Sequence, residues 1–249
     1  MQFELFKASV TGHRSENQDR VEIVELKQSV LLIVVDGMGG HAEGARASEV
    51  TVQSIVERFR ETGQPVLDPQ GFLISALTTA HRKVVALGAG ITVEQRPRAT
   101  CAICLVQDRR AYCAHIGDSR IYQLRHGAIV FRTRDHSHVE LLLSEGVINE
   151  DEIKNHPMRN FVECCLGGDE PLPDMSISAC QTLEPGDVIL LCSDGLWSGI
   201  EDEDLLNIVS NEQSLQQELP KLAELAVFNN APTSDNTSIA ALRLARDGS

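Results

Sequence analysis

VLLIVVDGMGGH, residues 30–41, is the segment from which the architecture can be read. Its opening run is apolar without alternation and has the length of a strand, far short of a membrane span. A strand without alternation is buried on both faces, so apolar material must cover each side of its sheet. VILLC at 188–192 has the same character. Two sheets packed face to face, with helices outside, satisfy both segments. At Asp36 the run stops on a carboxylate beside a glycine, which places an acid at the rim of a sheet where other groups can approach closely.

Working outward, further strands are predicted over Phe3–Val10, Val21–Leu26, Thr100–Val106, Ala111–Ile116, Arg120–Leu124, Ser176–Cys180 and Thr237–Leu244. Helical spacing joins Val52, Ile55, Val56 and Phe59, and again Leu73, Leu77, Ala80 and Val84. A third helix is expected through Leu222, Leu225 and Ala226, with Pro220 in its first turn. Strands following strands and helices following helices give an α+β class: two packed antiparallel β-sheets flanked by α-helices, an α-β-β-α sandwich. Residues 135–174 are more polar and irregular, and read as a flap on one domain spanning residues 1–249.

With 249 residues, 42% of them hydrophobic, the chain can bury a substantial core. Its charge, 22 − 36 = −14, argues against nucleic-acid or anionic-membrane partners, which need clustered Lys and Arg. The seven cysteines are an odd number on a long chain, unlike a small secreted disulfide scaffold. Cys101 and Cys104 form a CxxC, but they fall on a predicted strand and therefore point to opposite faces, a poor chelate. All seven are read as reduced thiols. MQFELFKASV at the start lacks the pattern of a signal peptide, so a cytoplasmic location is expected.

Asp36 is not alone. AHIGDSR brings Asp118, VILLCSDG brings Asp194 and SDNTSIAAL brings Asp235 to the edge of a predicted strand. Any one Asp-Gly is an ordinary turn. Four carboxylates at strand ends, with neither His nor Cys among them, form the all-oxygen set that Mg²⁺ or Mn²⁺ requires. In TGHRSENQD, residues 11–19, Arg14 could offer a planar fork to phosphate oxygens, and Asp19 follows it.

Together RSENQD (14–19), DGMGGH (36–41), GDSR (117–120), DHS (135–137), CSDGL (192–196) and DN (235–236) resemble, in content and order, the type 2C metal-dependent serine/threonine protein phosphatases, particularly compact bacterial members. The resemblance implies a site of two or three Mn²⁺ or Mg²⁺ ions at one end of the sandwich. Asp36 would bridge two ions, and the Gly37 carbonyl would hold one of them. Asp194 and Asp235 would complete one shell, Asp19 would serve the second ion, and Asp118 with Asp194 a third. Arg14 would clamp the phosphoryl group, and His41 stands where the family has a histidine implicated in catalysis. The implied reaction is direct attack of water on phosphoserine or phosphothreonine in proteins, by a monomer opposing a serine/threonine kinase. Three departures are visible, one of them VECCLG (162–167) in the flap, where relatives often have Thr-Arg. RATC (98–101) replaces the family's common MetGlyThrThr, and Gln18 stands where many relatives carry Glu. Two alternatives share these residues: a catalytically weak phosphoprotein-binding regulatory module, and a small-molecule phosphoesterase.

Overall fold

The computed structural model describes residues 2–38, 42–153, 156–210 and 213–245. The chain begins with β1 (Phe3–Val10), β2 (Arg20–Glu25), β3 (Ser29–Val35) and the short β4 (Gly37–Met38). Two long helices follow, α1 (Ala42–Glu61) and α2 (Pro69–Leu87). Next come β5 (Arg98–Ala99), β6 (Cys101–Gln107), β7 (Arg110–Ile116), β8 (Arg120–Arg125) and β9 (Ala128–Arg132). The flap carries α3 (His138–Ser144), α4 (Glu150–Ile153) and β10 (Leu166–Gly167). After β11 (Ser176–Ile177), β12 (Gln181–Thr182) and β13 (Val188–Cys192), the chain makes α5 (Asp194–Trp197), α6 (Asp202–Ser210), α7 (Leu215–Asn229) and β14 (Thr237–Leu244).

Two antiparallel sheets dominate, one in the order β1-β14-β13-β8-β9 and one in the order β11-β7-β6-β3-β2, with β12 also on β7. Strand period decides what each side chain covers. In β3, Leu31, Ile33 and Val35 pack in the layer with α1 and α2, whereas Val30, Leu32 and Val34 pack between the sheets. In β13, Val188, Leu190 and Cys192 face the layer with α5, α6 and α7, and Ile189 and Leu191 face the inter-sheet layer. Three apolar layers thus separate helices, sheet, sheet and helices, the α-β-β-α sandwich expected from the unalternating strands. Each fully buried Leu or Ile contributes roughly 1.5–3 kcal/mol by leaving water.

Strands Phe3–Val10, Val188–Cys192 and Thr237–Leu244 coincide with their predicted bounds. Ser176–Cys180 does not: only Ser176–Ile177 pairs with β7, and the chain leaves before returning as β12. It lies at a sheet edge, where short, interrupted strands are the rule. Pro220 is also misplaced by the sequence reading, for it lies inside α7. That helix starts earlier because Ser214 and Gln217 form a reciprocal capping box. Pro220 therefore removes one backbone donor from the helix interior. The flap is less irregular than expected, since it contains α3 and α4.

Candidate functional site

Strand register gathers the acids at one end of the sandwich. β2 pairs with β3 so that Arg20 faces Val35, which sets Asp19 and Asp36 side by side just beyond. β13 pairs Cys192 with Arg120 on one side and with Ile239 on the other, so the flanking Asp118, Asp194 and Asp235 reach the same end. They surround a cavity of about 490 Å³ whose walls include Arg14, Asp36, Gly37, Asp118, Asp194 and Asp235. The flap supplies Asn160 and Val162 to the same cavity.

Burial leaves these carboxyl groups reluctant to ionise together. It pushes Asp19 up to about 6, although a hydrogen bond from Ser193 opposes the shift. Burial, then the neighbouring Asp135 carboxylate, pushes Asp118 up to about 7. Asp36 is raised well above the ordinary range by burial and by Asp19, Asp194, Asp118 and Asp235. Asp194 is raised likewise, by burial and by Asp118, Asp235 and Asp19. One oxygen of Asp19 is held by the Ser193 hydroxyl at 2.7 Å. The other, Oδ1, is buried without a hydrogen-bond partner, as is Oδ1 of Asp194. Buried, unsatisfied carboxylate oxygens are costly, and a cation removes both the desolvation and the repulsion.

The residues fit a hard divalent ion by this test: an all-oxygen donor set, mutual repulsion and two orphaned oxygens, on Asp19 and Asp194. Among the described residues no three His, Cys, Asp or Glu side chains are already drawn in tightly enough to hold one ion.

Arg14 lies at the cavity rim, and its Nη2 donates to Asp235 Oδ2 at 2.6 Å. The sequence reading gave these residues separate partners; here they hold each other. The loop that presents Arg14 is fixed by Asn236, whose amide donates to the Thr11 and Glu16 carbonyls at 2.9 and 3.0 Å. Asn236 Oδ1 accepts from the Gln18 amide at 2.8 Å. Its place in the DN motif was the only signal of this role.

Gly37 admits no side chain, because a Cβ there would meet the Gly44 carbonyl oxygen at 2.1 Å. Gly44 in turn has the Gln18 side chain 2.6 Å from where its Cβ would stand. The Asp36–Gly37 turn is thereby clamped onto α1. His41 lies outside the described residues.

Segment 98–101, singled out for its departure from the family pattern, touches this turn directly. The Thr100 amide donates to the Asp36 carbonyl at 2.8 Å, and its hydroxyl is 2.7 Å from that of Ser119. β5 lies between β4 and β10, so the same segment joins the Asp36 turn to the end of the flap.

The cysteines and two stacked histidines are not among the ligands expected from the sequence. Cys101 and Cys104 do point into different layers, and all seven cysteines are free. His115 and His136 stack with ring centroids 4.6 Å apart, and burial lowers His115 to about 4. Neither joins a metal-ligating group among the described residues.

Residues 9–231 match the sequence profile of the family described as Protein phosphatase 2C. The chain is 33% identical over 230 residues to the protein phosphatase PhpP of Streptococcus pneumoniae, covering 91% of each chain. The solved serine/threonine phosphatase of S. agalactiae superposes with a TM-score of 0.89 at 28% identity, covering 98% of this chain and 100% of the other. A second solved structure, the catalytic domain of the serine threonine protein phosphatase PstP in complex with two manganese ions, gives 0.79 at 26% identity, over 98% and 100% of the chains. With register, cavity and profile in agreement along the chain, this protein belongs to the protein phosphatase 2C family.

Proposed function

We propose that this chain hydrolyses phosphoserine and phosphothreonine esters in proteins at the acidic end of its sandwich, with two or three divalent cations, Mn²⁺ or Mg²⁺, as cofactors. The observation that carries this reading is the joint presence of Asp36, Asp118, Asp194, Asp235 and Arg14 around one cavity, with an oxygen of Asp194 and one of the neighbouring Asp19 left without a partner. Asp36 and the Gly37 carbonyl, with Asp194 and Asp235, are assigned to the first ions; Asp19 assists through its free oxygen, and Asp118 with Asp194 serves a third. When bound, the cations supply an activated water nucleophile and positive charge opposite the phosphoryl oxygens.

The chain's own residues do the rest. Arg14 leaves Asp235 as that carboxylate is claimed, and its guanidinium turns to two phosphoryl oxygens, where fork geometry matches. The same charge then stabilises the crowded oxygens in the transition state. Ser193 holds Asp19 in one orientation. His41 is assigned the proton delivered to the leaving alkoxide. The reading extends to a cytoplasmic enzyme opposing a serine/threonine kinase. In support, all seven cysteines are free, and among the described residues no helix is long and apolar enough to cross a membrane.

The test is phosphate release from a phosphothreonine peptide, with Mn²⁺ and with EDTA, by the native chain and by Asp36→Asn and Asp194→Asn. Turnover that needs Mn²⁺ and is lost in both variants is expected. Folded, Mn²⁺-supplied protein that binds the peptide without cleaving it would make the chain a phosphoprotein-binding module instead.

A further inference from the structure

Strand β6 runs between β3 and β7. Its register pairs Ala102 with Val34 on one side and Cys101 with Ile116 on the other. Extended beyond those pairs, the same register sets Thr100 between Asp36 and Gly117. The backbone confirms one half of this, since the Thr100 amide donates to the Asp36 carbonyl at 2.8 Å. Its side chain supplies the rest. The hydroxyl accepts from the Asp36 amide at 3.4 Å and hydrogen-bonds to the Ser119 hydroxyl at 2.7 Å. At Gly117, where φ is +96°, a Cβ would stand 2.6 Å from Thr100 Cγ2, so the chain passes flat against the threonine. Residues 117–119 are where the chain leaves one sheet, at the end of β7, and enters the other as β8. One side chain thus spans the step between the turn that carries Asp36 and the turn that carries Asp118.

Thr100 and Ser119 are both 0% exposed. Two buried hydroxyls that satisfy each other leave one unsatisfied when either is removed, and this makes their spacing hard to change. Such a fixed spacing bears on which cation the surrounding carboxylates can hold. Mg²⁺ requires near-octahedral oxygens at about 2.0–2.1 Å, whereas Ca²⁺ accepts more oxygens at about 2.3–2.6 Å in flexible arrangements. Loosening the backbone between two ligand turns therefore harms the small ion first. We propose that Thr100 and Ser119 are positioning residues whose hydroxyl pair sets the separation of the Asp36 and Asp118 turns, so that the cavity takes Mg²⁺ in preference to the larger Ca²⁺. This deepens the proposed function and rests on its assignment of the aspartates to divalent cations.

The experiment is calorimetric titration of the metal-free full chain with Mg²⁺ and, separately, with Ca²⁺. Thr100→Val keeps the shape of the side chain and removes its hydroxyl. It is expected to weaken Mg²⁺ binding about tenfold, the low end for groups that orient metal ligands, and Ca²⁺ binding by less than about threefold. Thr100→Ser retains the hydroxyl and should keep the wild-type preference. Ser119→Ala should narrow the preference as much as Thr100→Val, and the double variant should narrow it no further, because all three remove one interaction. A role confined to folding would instead lower the metal-free unfolding temperature and weaken both ions alike. If Thr100→Val does not fold, Ser119→Ala, the smaller change, decides. The inference is overturned by an unchanged preference in either folded variant, by equal losses for the two ions, or by additive effects in the double variant. Wild-type protein that binds Ca²⁺ as tightly as Mg²⁺ overturns it too. Protein that shows the expected preference and its loss, yet releases no phosphate from a phosphothreonine peptide, sinks the proposed activity and leaves this inference standing.

Discussion

Strands β8 and β13 lie side by side, and the aspartates at their two ends are treated in opposite ways. Where β13 begins, Asp187 is 1% exposed, yet its carboxylate is saturated. It accepts from Arg125 Nε and Nη2 at 2.8 and 2.6 Å, from the Gln123 amide at 2.8 Å and from the Glu184 backbone at 2.9 Å. Where β13 ends, Asp194 leaves one oxygen with no partner, beside Asp118, whose pKa burial and Asp135 raise to about 7. The same pair of strands thus builds one carboxylate that the protein satisfies by itself and another that it does not. The first is structural. The second keeps an oxygen that no group of the chain satisfies, and that is how a candidate binding site differs from a buried ion pair of similar composition.

The contrast can be broken most severely at the unsatisfied end. Asp194→Asn should lower kcat on a phosphothreonine peptide by about 10³-fold, the scale on which a charge-stabilising group is lost from an active site. Its unfolding temperature without metal should not fall, because Asn keeps an oxygen for the Gly195 amide and removes only a charge that burial disfavours; a parallel loss of stability would mean that Asp194 is structural after all. At the other end the expectation reverses. Arg125→Ala should cost about 3 kcal/mol in urea unfolding by stranding the buried Asp187 charge, with turnover per folded molecule retained.

Asp118 sharpens the comparison through pH. Its carboxyl keeps a proton in the folded chain up to about pH 7, from an ordinary value of 3.8. The folded state therefore binds more protons than the unfolded state between those values, and metal-free stability falls as pH rises across that window. Asp118→Asn should stabilise the metal-free protein on the order of 2 kcal/mol at pH 8 and make no difference at about pH 2.5, where both states are protonated. Saturating Mn²⁺ should remove this advantage, because the wild-type carboxylate then has its partner. Thermal unfolding at the two pH values, with and without Mn²⁺, tests each part. The smallest effect belongs to the rim. The Arg14 and Asp235 side chains are 56% and 37% exposed, so Arg14→Ala should change stability by less than about 0.5 kcal/mol. A larger loss of stability would show that their pair helps hold the fold.

Much of the sandwich was legible because buried strands carry unalternating runs, and LLIVV and VILLC could not be covered by one layer. Strand β9, AIVFR, alternates exposed and half-buried residues, yet it follows a tight turn and was missed as an edge strand. Helix α6 begins with Asp202, Glu203 and Asp204, acids that suit the helix's first turn but read as loop when taken singly. Asp36, Asp118, Asp194 and Asp235, the aspartates proposed to hold metal, were legible because each one ends or begins an apolar run. Residues that act through them were not. Nothing in the sequence places Thr100 against both Asp36 and Ser119, since those contacts arise from tertiary register between strands distant in the chain. Asn236 lay within a recognisable motif, but its grip on the loop of residues 11–19 depends on where β14 enters the sheet.

The interlock of Gly37 with Gly44 has a practical consequence for anyone wishing to redirect this catalyst. A Cβ at Gly37 would meet the Gly44 carbonyl oxygen at 2.1 Å and one at Gly44 the Gly37 carbonyl oxygen at 2.8 Å, so neither position takes a side chain without displacing the other's backbone. A library randomised at Gly37 and Gly44 would consist mostly of misfolded members. The outer flap presents Glu145, Glu150, Asp151 and Glu152 to solvent and has no such constraint. Directed evolution of substrate preference belongs there, where sequence can drift while the chemistry stays fixed.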